Sequence, residues 1–434
     1  MKKTIFALLA VLLVVGSASA QGVTFSGEVS TGFYMDQEQI NEDKKKIIAE
    51  GGMTNTDGDS GASFGRIRLN FSFGYENIGF KFRFQIEPIT EGPFLPRWNY
   101  AFAFGNFFNE QLTVSAGVLG ESPWATGGPR LRTELEAREY FEHNILNGEP
   151  LVAIGGLWGI RFEYKPSFIP GLNIGFVLNQ PDQQVSINKT EQTFGDVLGE
   201  SVVGVAYEHE YFAVILGYRF DSKADRYTYG MDEGSRFLYR MEERALKTVI
   251  PGMQLLLNGV YYGIGNEQQE IKKNVGGKET TLFLGSGEYF INWLHWLWDA
   301  DAFIAKLDAC YSTYQSYNNT YFIPNERQAY DSIDILPAFY VKFLNNLLQA
   351  GVGFGLGMEF GTGKTYKASE YQYYFIEPMV KVNLSSNAYL AAVYRYTDRY
   401  APYWLGKYGV KGMTVEEGDK SVVHMLNIRA VFSF

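Results

Sequence analysis

The chain has 434 residues, of which 16% are aromatic, with 47 glycines, one cysteine and a formal net charge of −10. An acidic balance argues against nucleic acid as a partner, because binding phosphates takes a basic face. The lone Cys310 excludes an internal disulfide.

Lys2 and Lys3, an apolar run at 4–15 and the small residues Ala18-Ser19-Ala20 open the chain. That layout is a secretory signal peptide at 1–20, cleaved at Ala20/Gln21, ahead of a single domain at 21–434. Cleavage removes two lysines and no acids, so the balance moves from −10 to −12. No later apolar run approaches the roughly 20 residues of a spanning helix.

From Val23 the apolar period is two. Val23, Phe25, Val29 and Phe33 share one face, and Thr24, Ser26, Glu28 and Ser30 the other. Ile67, Leu69, Phe71, Phe73 and Tyr75 then alternate with Arg66, Arg68, Asn70 and Ser72. A tight turn leads to Phe80, Phe82, Phe84 and Ile86, alternating with Lys81, Arg83, Gln85 and Glu87. In a soluble sandwich those phenylalanines need a second sheet; in a membrane, lipid covers them.

The pattern predicts strands at 22–34, 65–75, 80–87, 98–106, 112–119, 157–164, 172–179, 201–208 and 212–220. Nine more follow at 236–249, 253–264, 281–291, 300–313, 331–343, 347–360, 372–384, 388–397 and 421–434. That makes eighteen, with sixteen as the alternative. Residues 236–249 read equally well as a helix, and NWLHWLWD at 292–299 is ambiguous, taken as a turn. Short turns at 76–79, 107–111, 165–171, 209–211, 250–252, 292–299, 344–346 and 385–387 alternate with long connections. The long ones are 35–64, 88–97, 120–156, 180–200, 221–235, 265–280, 314–330, 361–371 and 398–420. Two short turns share a Pro-Gly pair, Pro170-Gly171 and Pro251-Gly252. Tyr34, Tyr75, Tyr164, Tyr207 and Tyr396 lie at strand ends, and Trp293, Trp296 and Trp298 crowd 292–299, where an interfacial girdle would place them.

The last strand puts Leu426, Ile428, Ala430, Phe432 and Phe434 on one face and Arg429 and Asn427 on the other. An amphipathic strand ending on phenylalanine resembles the terminal signal of bacterial outer-membrane β-barrels. The resemblance implies an all-β fold: a transmembrane antiparallel up-and-down barrel in the cell outer membrane of a double-membrane bacterium. It implies contact with outer-membrane lipid, docking on the barrel-assembly machinery through the C-terminal strand, and closure against the strand beginning at Val23. Homotrimers are common in porins; no residue here signals one.

In a barrel of this size function lies in the lumen. The inward positions are Arg66, Arg68, Lys81, Arg83, Glu87, Arg161, Glu163, Arg219, Lys306, Asp308, Lys342, Glu359, Glu377, Lys381, Arg395 and Arg429. Charges of both signs facing water either filter small polar solutes or merely solvate the wall. The connection at 120–156 carries Arg130, Arg132, Glu134, Glu136, Arg138 and Glu139 in an amphipathic helical pattern. By position alone it resembles the third loop of general porins, which narrows the pore; a cap over the mouth is the alternative.

The leading expectation is a porin-like channel for passive diffusion of small hydrophilic solutes or ions. A ligand-specific or apolar-compound transporter and a surface adhesin using 35–64, 180–200 and 398–420 are the alternatives. No enzyme, cofactor or metal is expected. GTGKT at 361–365 fails as a phosphate loop, because its first required glycine falls on Met358. Asp57-Gly58-Asp59-Ser60-Gly61 lacks the final glutamate of a calcium loop. His143, His209, His295 and His424 share no ligand spacing.

Overall fold

The computed structural model describes residues 22–40, 44–52, 66–87, 95–119, 158–179, 198, 201–220, 234–264, 269–275, 278–284, 286–317, 328–361, 373–400 and 420–434. The chain opens with β1 (Val23–Ile40), β2 (Lys44–Gly52), β3 (Arg66–Tyr75), β4 (Ile78–Glu87), β5 (Leu95–Phe107), β6 (Leu112–Val118) and β7 (Trp158–Tyr164). Next come β8 (Leu172–Asn179), β9 (Val202–Glu208), β10 (Phe212–Arg219), β11 (Gly234–Glu243), the short helix α1 (Ala245–Val249), β12 (Met253–Ile264), β13 (Gln269–Val275) and β14 (Lys278–Leu284). The last third holds β15 (Ser286–Asp299), β16 (Phe303–Tyr317), β17 (Gln328–Phe343), β18 (Leu348–Gly361), β19 (Tyr373–Ser385), β20 (Ala388–Tyr400) and β21 (Lys420–Ser433).

Nineteen strands share one sheet, and β13–β14 form a separate hairpin. Within the large sheet β2 pairs only with β1, so eighteen strands make the wall. Each is antiparallel to the next, and β21 returns to pair with β1 from Glu28↔Ser433 to Ile40↔Ser421. Closure leaves the wall without a free edge, so each strand of it pairs on both sides. The expected eighteen-stranded barrel, with its seam between the first and last strands, is what forms. Among the described residues no helix is long and apolar enough to cross a membrane.

Alternation fixes the two faces. Along β19 the burial runs strictly buried, exposed, buried, exposed from Tyr373 to Val380. The exposed face collects large apolar side chains around the ring, among them Phe80, Ile160, Phe162, Leu216, Phe354, Ile376, Leu390 and Ile428. A water-facing surface of that composition would be unstable, whereas lipid covers it at no cost. This is the outer face.

The short connections and both strand ends, Val23 and Ser433, lie at one end of the barrel, with the longer connections at the other. Tight turns here need unusual backbone. Glu76, Asn109 and Asn345 adopt positive φ, a conformation that asparagine tolerates best among residues with a side chain. Gly171 (φ 86°) and Gly252 (φ 83°) follow the two prolines, as that turn requires. Their carbonyls accept from the N–H of Glu208 (3.0 Å) and Asp299 (2.9 Å), so the two turns solve the same problem identically. At the Glu243–Met253 connection, Arg244 donates to both carboxylate oxygens of Glu242 at 3.2 and 3.4 Å. That hydrogen bonding holds its guanidinium pKa above the ordinary arginine value.

Several boundaries differ from the sequence reading. NWLHWLWD is not a turn: residues 292–299 continue β15, and the turn is 300–302. Trp296 and Trp298 face outwards there, but Trp293 points inwards and is buried, so it belongs to no girdle. The segment 236–249 is neither one strand nor one helix, since β11 ends at Glu243 and α1 follows. The connections 35–64 and 265–280 are not plain loops, because β1 runs on to Ile40, β2 answers it, and β13–β14 form their own hairpin. Residues 1–21 and 120–157 lie outside the described residues.

Candidate functional site

The lumen is lined by alternate residues, and register places them. Arg68 lies opposite Glu28 and Gln85; Arg83 opposite Asn70 and Tyr100; Lys81 opposite Ser72 and Phe102. Arg161 and Glu163 face inwards on β7, and Lys306 and Asp308 on β16. Lys342, Glu377, Lys381, Arg395 and Arg429 also face inwards on β17, β19, β20 and β21, and so does Asp334 of β17, which the alternation also allowed. Arg66, Glu87, Arg219 and Glu359 occupy inward register positions, opposite Ser30, Leu95, Val202 and Ser332, but their side chains lie outside the described residues. So do Arg130, Arg132, Glu134, Glu136, Arg138 and Glu139.

Much of this charge is neutralised by immediate neighbours rather than across the lumen. Arg161 Nε lies 2.7 Å from Glu163 Oε1 on the same strand. Arg395 Nε donates to Glu377 Oε2 at 2.7 Å from the neighbouring strand, and both side chains are almost completely buried. Lys342 pairs with Asp299 and donates to the carbonyl of Ala300 at 2.8 Å, bracing a turn. His295 Nδ1 stands 2.5 Å from Asp308 Oδ1.

A second rule organises the cations: they lie over rings. Lys81 sits over Phe104 (5.4 Å), Arg83 over Tyr100 (4.9 Å), Arg161 over Phe102 (5.2 Å), Lys381 over Tyr389 (4.2 Å) and Arg395 over Phe375 (4.6 Å). The small residues Ser115 and Gly117 on β6 leave room for Arg161 to reach across to β5. Each contact supplies about 0.5–2 kcal/mol, more as water is excluded.

Between β16 and β21 an apolar cluster sits among the inward charges. Leu336, Ala338, Tyr340, Tyr373, Phe375, Met379, Val393, Val423 and Met425 form one buried cluster. It rests on a glycine stripe: Gly351, Gly353, Gly355 and Gly357 are successive inward positions of β18. The rings of Phe375 and Tyr373 occupy the space where side chains at Gly355 and Gly357 would stand, and Tyr340 leans over Gly351. Tyr373 Oη donates to Asp334 Oδ1 at 2.6 Å, which settles a carboxylate inside the cluster. Pro337 interrupts the β17–β18 ladder and Pro378 the β19–β20 ladder, where each lacks the N–H that the sheet needs.

The last residue extends the pairing at the closing seam. Gly27 and Phe434 exchange both backbone hydrogen bonds, at 2.8 and 3.0 Å. Outside, the Phe434 ring packs on Phe25 (5.4 Å), Phe25 on Phe71 (4.7 Å) and Phe71 on Phe82 (4.4 Å). Phe432 and Ile428 are exposed on the same outer face, and Leu426 and Ala430 share its register.

No protein-family description and no curated protein matches the chain. Similar solved structures are outer-membrane proteins. They include the outer-membrane expressed OmpT of Vibrio cholerae, at a TM-score of 0.46 and 10% identity over 95% of this chain and 97% of that one. The anion-selective porin from Comamonas acidovorans gives 0.46 and 13% over 94% and 99%. OpdQ of Pseudomonas aeruginosa gives 0.47 and 8% over 94% and 99%.

Proposed function

We propose that the chain is an outer-membrane channel for passive diffusion of small hydrophilic solutes or ions. The observation that carries this is the closed ring of eighteen strands with an apolar outer face and charges on the inner one. Eight strands fill their own interior, whereas sixteen to eighteen leave space for an aqueous path. The inward charges, and the segment 120–156 with them, then set which solutes pass. Export through a leader at 1–20, docking of β21 on the barrel-assembly machinery and association into homotrimers belong to the same reading. Single-channel recording in planar bilayers tests it: discrete conductance steps are expected, and folded protein that conducts nothing overturns it.

A further inference from the structure

We propose that the inward face of β3, β4 and β5, in the half of the lumen next to the short turns, binds the oxyanion of a small organic solute. The channel reading enters only as the route by which the solute arrives.

Lys81 and Arg83 are successive inward positions on β4, so their stems leave the wall roughly 7 Å apart. Among the described residues neither has a carboxylate partner. The contacts of Arg83 are Asn70 Oδ1, to which its Nε donates at 2.6 Å, and the Tyr100 ring. Among the described residues Lys81 touches the Phe104 ring alone, and it is exposed to the lumen. This sets them apart from Arg161, Lys342 and Arg395, each tied to an acid nearby.

The anchoring of Arg83 is directional. Asn70 takes Nε and is itself steadied by donating to Ser26 Oγ at 3.3 Å. Tyr100 takes one face of the guanidinium plane. What remains for a ligand is the edge carrying Nη1 and Nη2, a planar fork that matches the two oxygens of a carboxylate. Lys81 adds a mobile point charge beside it, and Ser72 lies opposite Lys81 with a hydroxyl on the same face. A fork already held in place spends little entropy on binding.

The test is saturation-transfer NMR on detergent-folded full-length protein with benzoate as probe, foldedness being checked by heat-modifiability on gels. Benzoate is expected to give a saturable signal that acetate competes away, while neutral benzamide gives none. Lys81→Gln, which changes an exposed side chain, should weaken benzoate, and Lys81→Gln/Arg83→Gln should weaken it by about tenfold or more. Lys165→Gln, an equal charge change in an exposed turn, should leave it unchanged. Equal signals from benzoate and benzamide, failure of acetate to compete, or unchanged affinity in the double variant would overturn the proposal. Protein that binds benzoate in this way but carries no current would refute the channel and leave the site standing.

Discussion

The Arg395–Glu377 pair offers the sharpest test of what fills the inner wall. Both side chains are nearly inaccessible, and Arg395 Nε donates to Glu377 Oε2 at 2.7 Å above the Phe375 ring. With charge centres about 4 Å apart and an effective dielectric constant near 20, their attraction is about 4 kcal/mol. Removing one partner strands the other charge away from water, which costs about 3–5 kcal/mol. Glu377→Gln and Arg395→Met should therefore each destabilise the barrel by about 3 kcal/mol or more. Glu377→Met/Arg395→Met should recover most of that loss, since an apolar replacement of the whole pair is often neutral. Urea unfolding of vesicle-folded protein, followed by tryptophan fluorescence, reads all three, and the double-mutant cycle isolates the coupling. Single losses under about 1 kcal/mol with negligible coupling would refute the reasoning, because they would mean that water reaches the pair and screens it.

The glycine stripe makes a paired prediction: Gly355→Ala drives a methyl into the Phe375 ring, whereas the same change at Gly353 finds its nearest neighbours at 3.6–3.8 Å. The first should cost about 1–3 kcal/mol and the second should be neutral or slightly stabilising, in the same unfolding assay. His295→Ala leaves the buried Asp308 carboxylate without its imidazole, for a loss of about 1–3 kcal/mol, which His295→Gln should partly restore. Deleting Phe434 removes two backbone hydrogen bonds and the ring contact with Phe25. A loss of about 2–3 kcal/mol is expected in unfolding. Folded protein in the outer membrane should fall while export continues; wild-type amounts would argue against the seam's role in assembly.

The period of two was enough to read the wall, because side-chain alternation in a strand is fixed by backbone geometry. It placed Arg68 and Arg83 inwards and Phe71 and Phe82 outwards before any partner was known. It also separated Arg429 from Phe432 on the last strand. Alternation is silent about neighbours. That Arg395 would find Glu377, or Tyr373 would find Asp334, depends on which strands meet and at what stagger. The bulge between Arg83 and Phe84 resets the register with β5, so the inward stack of Tyr100, Phe102 and Phe104 needs the pairing to be seen. Glycine at every second position from Gly351 to Gly357 is the signal in the sequence of a face that other side chains must cover. The tryptophans misled because NWLHWLWD has apolar residues on both faces, which looks like a turn-flanking cluster. A strand with lipid outside and a buried cluster inside has the same composition.

The short strand β2 has a consequence for how neighbouring molecules meet. It extends the sheet beyond the point where β1 parts from β3, and among the described residues its far edge has no partner strand. Such an edge is a template on which a second chain could add strand by strand. The edge is also where Lys44, Lys45 and Lys46 fall in succession, paired with Ile40, Gln39 and Glu38. A lysine-rich edge disfavours the addition of the same segment of a second molecule, because like charges would be brought together. That repulsion weakens with salt, over a Debye length of about 8 Å at physiological strength. Strand addition at that edge would thus depend on ionic strength rather than on the lipid that covers the wall.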